Sequence, residues 1–524
     1  MKFKSKIIKL SILSVLGTAA FVGCKKSDFE INKNPDSPTS ASVLYSEIIP
    51  AALQSSAKIV DADWAFLQSY MGYWARSGDY QPTVDEETYS FTTSFTPANT
   101  LWNDLYANAN NYNIAQAKAK AAGAGIYEGI ARIMKVHAFQ ILVDVFGNVP
   151  YTQALQGTAF PTPIYDKGID IYKDLFRQLD AAIVTLKDPL VNQPAMNPQI
   201  ATADFVYAGN TAQWIRFANT LKLRMLLHVY QVPGFDIAGE MTKITTEGSG
   251  FIKTNESAHM NPGFTDTKPT PYYRAYVKNE LGTVVSNQIR ANEYAIDYYN
   301  WDGDPRLNRF YKAPSAGGAQ IGIAYGEIPN NVQTGTKLST VDGPGIVPNG
   351  ASSRAWILTS VESLFLQAEA RERGIITSGT TAKDLLTAAI QESFIWLGVT
   401  NAVTAANSYI TGNATYPDVD YNGVSQGPGL PAGGIYTILS QKWFALNAIA
   451  TFEVWSDYRR TDVVYGEGGG FDPGPPLSIL PGNTATKLPV RLLYPQTEYN
   501  YNAANVAGQG TINKFTSKIF WDLN

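Results

Sequence analysis

The chain has 524 residues and a formal net charge of −4, with 41 Lys and Arg against 45 Asp and Glu. That balance excludes a nucleic-acid binder, which needs concentrated Lys and Arg against phosphate. Charged residues are only 16% of the chain while Phe, Trp and Tyr reach 12%, a composition that stores many flat apolar surfaces in a lightly charged protein.

In chain order, Lys2, Lys4, Lys6 and Lys9 form a basic start, and Leu10 to Val22 an apolar run of 13 residues. That run is shorter than the ~20 residues of a membrane span and has the layout of a secretory signal. It ends in Phe21-Val22-Gly23-Cys24, similar to a bacterial lipobox with Phe where Leu is usual. Cys24 is the chain's 1 cysteine, so no disulfide can form within it. Residues 1–23 are expected to be a lipoprotein signal peptide and Cys24 the lipid-bearing first mature residue. Cleavage removes four lysines and no acid, which takes the net charge from −4 to −8. Residues 24–42, polar and Pro-bearing, suit a lipid-anchored tether. No later segment has 18 uninterrupted apolar residues, so the remainder is not expected to be transmembrane.

Helical periodicity then recurs in pairs. Leu101, Leu105, Ala109, Tyr112 and Ala115 share one face. Ile126, Ile130, Ile133, Met134, His137 and Ile141 share the next, which stops near Gly147-Asn148. Tyr172, Leu175, Leu179, Ile183 and Leu186 precede Trp214, Phe217, Leu221, Met225 and His228, the latter helix opened by a capping pair, Asn210 and Gln213. A third pair joins Leu358, Val361, Phe365 and Ala368 to Leu385–Leu397, and one further helix is predicted over Tyr436–Phe452. Paired helices over roughly 98–230 and 357–452 predict a mainly α, TPR-like stack without a strict 34-residue repeat. Loop-rich portions are expected at roughly 233–355 and 401–433, where binding residues tend to concentrate.

Several segments resemble one family. Phe146-Gly147-Asn148-Val149-Pro150-Tyr151 is similar to its FGxVPY segment, and Ile357–Gly374 to its helix ending in AEAxxRG. Gln441–Leu446 with Glu453–Thr461 resembles its QKWxAL…ExWxDYRRT block, and Asp304-Pro305-Arg306-Leu307 and Lys518-Ile519-Phe520-Trp521 also fit. The family is that of the SusD/RagB nutrient-binding outer-membrane lipoproteins of Bacteroidota. The resemblance implies a single SusD-like domain over 43–524, an α-α superhelix with a loop-rich irregular subdomain. It also implies a cell-surface, lipid-anchored binder without enzymatic activity, which captures a nutrient, often an oligosaccharide, and caps a SusC-like TonB-dependent transporter. Two other readings remain at this point: a surface glycan-processing enzyme, and an adhesion or assembly lipoprotein acting through protein contacts alone.

The chemistry-bearing residues are weighed in that light. Gly423-Val424-Ser425-Gln426-Gly427 matches G-x-S-x-G, but a polar segment precedes it and all three histidines lie upstream of Ser425, so it is no nucleophile elbow. His137 and His228 lie on apolar stripes and read as core. Asp418, Asp420 and Asn422 begin like a calcium loop, yet position 12 is Gly429 and a solvated Asx turn is the simpler reading. No other cofactor is expected. Sugar capture needs aromatic faces beside directional polar groups. Two stretches offer that combination: Tyr73, Trp74, Arg76, Asp79 and Tyr80, then Tyr272, Tyr273, Tyr276 and Asn279. Trp102, Trp214, Trp443 and Trp455 are expected in the core, and Asp304-Pro305-Arg306 in a turn buttressed by an ion pair.

Overall fold

The computed structural model describes residues 43–61, 64–260, 263–285, 287–424, 432–461 and 475–523. The signal and tether segments, Cys24 and Ser425 lie outside them. Tyr45–Asn524 make one compact unit.

The unit is built on helices that stack in sequence order. Helix α1 is Tyr45–Asp61, α2 Thr96–Ala121, α3 Gly125–Phe146, α4 Gly168–Lys187 and α5 Thr211–Val229, each packed on the one before. Every apolar position of the two predicted pairs is buried, His137 and His228 with them. Asn210 caps α5 by accepting the Gln213 amide at 3.2 Å, which satisfies one of the orphan donors of the first turn. Gly129 lets α3 and α4 close: a Cβ there would sit 2.6 Å from the Leu186 side chain. Gly147 ends α3 at φ 79°, a conformation glycine adopts without steric cost.

The stack resumes only after the long insert. Helix α6 is Ile237–Glu247, α7 Pro271–Tyr276 and α8 Glu293–Trp301; α9 is Ser360–Glu372, α10 Ala382–Trp396, α11 Ala402–Gly412, α12 Gly434–Leu446 and α13 Thr451–Arg460. Helix α9 packs on α5 across that gap and then on α10 and α12. Three two-stranded antiparallel ribbons pin the irregular parts: β1 (Trp74–Arg76) with β5 (Ile289–Ala291), β2 (Val149–Pro150) with β3 (Tyr165–Asp166), and β4 (Ala258–Met260) with β6 (Ala355–Leu358).

The sequence reading needs two corrections. Leu358 belongs to β6, because Thr359 caps α9 by accepting the Glu362 amide at 3.2 Å and the helix starts after it. The single helix expected over Tyr436–Phe452 is two, α12 and α13. Ala448 turns left-handed there at φ 60°, and Asn447 donates to the Tyr311 hydroxyl at 2.8 Å, so the break is held by the insert. The loop-rich portion over 401–433 also contains α11, as that over 233–355 contains α6, α7 and α8.

Five elements meet through buried charge. Lys442 on α12 pairs with Glu453 and Asp457 on α13, each at 2.9 Å. Arg460 joins Glu369 of α9 through both guanidinium nitrogens at 2.6 Å, and Arg373 reaches the same carboxylate at 2.8 Å. Arg224 of α5 donates to Glu362 at 2.7 Å. His228 lies between Glu453 at 3.1 Å and Asp144 of α3 at 3.3 Å. Burial alone would strip its proton, but Glu453 and Asp144 hold its pKa above the usual histidine value. Burial likewise acts against the Glu369 carboxylate, yet Arg460 and Arg373 hold its pKa well below normal. Asp144 also accepts the indole N–H of Trp521 at 2.8 Å, tying in the C-terminal segment.

Removing one partner of such a pair leaves an uncompensated charge out of water, a cost of about 3–5 kcal/mol. Glu369→Gln keeps the volume and leaves Arg460 and Arg373 facing a neutral amide. Urea unfolding at neutral pH should show a loss of that size; a loss no larger than a surface pair gives, about 1 kcal/mol or less, would refute the central role assigned to Glu369.

Candidate functional site

The two predicted aromatic stretches do come together, but inside the protein. Strand β1 carries Trp74 against α7, where its ring meets Tyr276 edge-on at 4.8 Å and Tyr272 at 6.2 Å. Tyr73, Trp74, Arg76 and Tyr272 are all buried. Tyr73 stacks on Trp443 at 4.8 Å and donates its hydroxyl to the Trp443 carbonyl at 2.7 Å. Tyr272 donates to the Val341 carbonyl at 2.8 Å. Arg76 pairs with Glu87 at 2.8 Å and donates to the Glu327 carbonyl at 2.6 Å. These four side chains are therefore corrected from ligand contacts to core: the polar tips of Tyr73, Arg76 and Tyr272 are bonded within the protein, and the Trp74 indole is buried with its N–H lacking a hydrogen-bond partner among the described residues.

The remaining candidates lie nearer the surface. Asp79 is exposed and accepts from Ser77 Oγ and from the Gly335 amide at 3.3 Å. Against the slight cost of burial, these bonds lower its pKa. Tyr80, Tyr273, Tyr276 and Asn279 are half-buried, and Asn279 spends its side-chain oxygen on the Leu281 and Thr283 amides, each at 3.0 Å.

A different aromatic faces water. Of the 10 tryptophans, nine are less than a tenth exposed, whereas Trp301 is 63% exposed. It closes α8, whose buried face is Ala295, Ile296 and Tyr299. Trp301 falls off that stripe, on the side that carries the exposed Asp297 and Asn300. The half-buried ring of Tyr416 stands at 90° to the indole, 6.2 Å away. An indole held in water beside acceptor and amide groups is a surface on which a sugar ring can stack while its hydroxyls are bonded. The sequence signal for Trp301 was available: a large aromatic out of phase with the apolar positions of its own helix.

The residues that follow this pair in sequence, Asp302, Asp304 and Asp418, are buried. Asp304 grips Arg306 through Nη2 at 2.6 Å, and Gln441 accepts from the same nitrogen at 2.8 Å. Tyr409 donates to Asp302 at 2.5 Å. The other oxygen of Asp302 and both oxygens of Asp418 have no hydrogen-bond partner. Burial, reinforced by Asp304, pushes the Asp302 carboxyl up to about 8 and that of Asp418 up to about 6. Asp418 thus belongs to the core, while Asp420 accepts the Asn422 amide at 3.0 Å in an Asx turn. Among the described residues no three His, Cys, Asp or Glu side chains are grouped to hold a metal ion.

A second concavity, a groove of about 700 Å3, runs between the outer side of α1 and the segment leading into α7. Lys58, Lys268 and Arg274 line it, with Glu280 the acid among its lining residues.

Comparison with known proteins places this architecture. Residues 33–495 match the SusD-like family described as "Starch-binding associating with outer membrane", and the chain belongs to that family. A SusD homolog from Bacteroides uniformis matches at 22% identity and TM-score 0.68, over 91% of this chain and 99% of that one. A SusD/RagB family protein from Bacteroides thetaiotaomicron matches at 20% identity and TM-score 0.70, over 92% and 100%. A chitin-binding SusD homolog from Flavobacterium johnsoniae matches at 22% identity and TM-score 0.70, over 90% and 98%. At these identities the likeness is one of fold. No curated protein sequence matches the chain.

The buried acids have a pH consequence. A carboxyl with a raised folded-state pKa contributes stability below its unfolded value near 4 and loses it as pH rises through the folded value, because the native state then surrenders a proton it held more tightly. For Asp418 that window runs from the ordinary carboxylate range up through about 6. Asp418→Asn removes the titration, so its stability should fall less than wild type between pH 4 and pH 7. Parallel declines in the two proteins would mean that Asp418 is not held neutral by the fold.

Proposed function

We propose that this protein is a lipid-anchored, non-enzymatic glycan binder of the bacterial outer membrane. It captures oligosaccharide on the Trp301 surface and passes it to a SusC-like TonB-dependent transporter. The observation that carries the reading is the exposure of Trp301, 63%, in a protein that otherwise buries every indole. Leaving so large an apolar surface in water forgoes about 1.5–3 kcal/mol of burial, a sacrifice that makes sense where a ligand completes the contact. Family membership and the chitin-binding solved relative support a sugar as that ligand. Asp302, Asp304 and Asp418 are buried, so they offer no accessible pair of carboxylates to flank a scissile bond. No helix among the described residues is long and apolar enough to cross a membrane, which accords with attachment through Cys24. Gentle-detergent extraction is expected to co-purify a large outer-membrane barrel.

Two substitutions test the reading. Trp301→Ala should weaken binding of a short chito-oligosaccharide at least tenfold, about 1.4 kcal/mol, in a calorimetric titration, with the unfolding midpoint unchanged because the indole packs little. Wild-type affinity in the variant, or turnover of the glycan by the parent, would sink the proposal. Cys24→Ala should move the protein out of the outer-membrane fraction and abolish uptake while leaving the affinity intact. Uptake that persists in that variant would argue against lipid anchoring.

A further inference from the structure

The groove beside α1 has a chemistry opposite to that of the Trp301 surface. One wall is the outward stripe of α1, where Ala51, Gln54, Ser55 and Lys58 recur at helical spacing opposite the buried Ile49, Ala52, Leu53 and Ile59. The other is a fixed turn running into α7. Thr265 and Lys268 exchange backbone hydrogen bonds of 2.9 and 3.0 Å, and the side chain of Thr270 caps α7 by accepting the Tyr273 amide at 3.3 Å. Pro269 and Pro271 stiffen the same wall. The groove is therefore preformed, and its volume of about 700 Å3 falls within the ~300–1,000 Å3 of small-ligand sites.

Three cations from three elements converge on it: Lys58 from α1, Lys268 from the turn and Arg274 from α7. This happens in a chain whose net charge is −4. Two of them sit in exposed ion pairs. Arg274 meets Glu280 at 2.8 Å and Lys58 meets Asp104 at 3.3 Å, with all four side chains at least a third exposed. Surface pairs of this kind contribute little, so a ligand carboxylate can replace Glu280 at Arg274, whose planar guanidinium suits a carboxylate in two-point contact. Gln54, Ser55 and Thr267 offer hydroxyl-bonding groups, whereas the apolar lining is only Ala and Pro. A hydroxyl-rich anion fits that lining better than an apolar one.

We propose that this groove binds a carboxylate-bearing oligosaccharide, a short stretch of uronic acid units. Lys58, Lys268 and Arg274 take the carboxylates, and Pro271 and Ala275, both half-buried, lie under the ring C–H faces. The inference rests on the reading of the protein as a glycan binder but uses a separate surface. Its test is calorimetry on the full chain in mild detergent, with oligogalacturonate, a sulfated oligosaccharide of equal length and a neutral chito-oligosaccharide as probes. Oligogalacturonate should bind at low ionic strength, weaken at least tenfold in 0.5 M salt or in the Lys268→Glu/Arg274→Glu double variant, and be unaffected by Trp301→Ala. Both substituted side chains are exposed, and an unchanged unfolding midpoint verifies the fold. The proposal is overturned if oligogalacturonate fails to bind at low salt, if the double variant stays within twofold of wild type, or if the sulfated probe binds equally well, since that indicates charge without carboxylate recognition. Retained chito-oligosaccharide binding alongside any of these results confines the failure to the groove. Loss of chito-oligosaccharide binding with oligogalacturonate retained instead faults the Trp301 surface.

Discussion

The arrangement of this protein depends on one buried network of charge. Glu369, Arg460, Asp457, Lys442 and Glu453 form a continuous chain of ion pairs across α9, α12 and α13, and His228 carries it to Asp144 on α3. Each of these groups is removed from water, so each is tolerable only beside its partner. A slip of α12 by one turn would strand Lys442, and a rotation of α9 would strand Arg460. Apolar stripes alone tolerate such slips far better. The network therefore selects the register in which the helices of the second half meet those of the first.

That selection explains why family-like segments so distant in sequence resemble one family as a set. The AEAxxRG-like segment supplies Glu369 and Arg373, the QKW-like segment Lys442, and the DYRRT-like segment Asp457 and Arg460. The terminal Trp521 bonds Asp144, and Arg459 lies over the rings of Trp455 and Trp521 at 3.8 and 4.8 Å. The motifs are pieces of one scaffold, none of them a ligand site. The insert is bound to the same scaffold by aromatic packing: Tyr299 stacks over Trp443 at 6.3 Å and donates its hydroxyl to the Phe444 carbonyl at 2.8 Å. What the insert can present to a ligand is then limited to side chains that this packing leaves over.

The distinction sets what could be read from the sequence. The helix pairs were legible because a 3.6-residue apolar stripe reports burial directly, from Leu101 to Ala115 and from Tyr172 to Leu186. The break at Asn447 was not, since it is stabilised by tyrosine hydroxyls 136 and 148 residues away in sequence. For the site, composition pointed to aromatic-rich segments, but density of aromatics does not tell a platform from a plug. Tyr73, Trp74 and Tyr272 interlock with rings from other elements, a fact of tertiary packing absent from local pattern. Trp301 could have been found by asking which aromatic violates its helix's own stripe. The groove could not, because Lys58 and Arg274 are more than 200 residues apart and only the fold makes them neighbours.

The two outward surfaces divide electrostatically, and the division follows from the side chains each exposes. Trp301 stands beside the exposed Asp297, while burial raises the pKa of the Asp302 and Asp418 carboxyls and Asp304 is neutralised by Arg306. A carboxylated sugar placed there meets like charge from Asp297 at the surface, where the repulsion is screened by salt. A neutral sugar meets only acceptors for its hydroxyls. At the α1 groove the sign is reversed, with cations in excess over a floor of small residues. Like charge at the wrong surface is disfavoured, which is how such a pattern contributes to specificity.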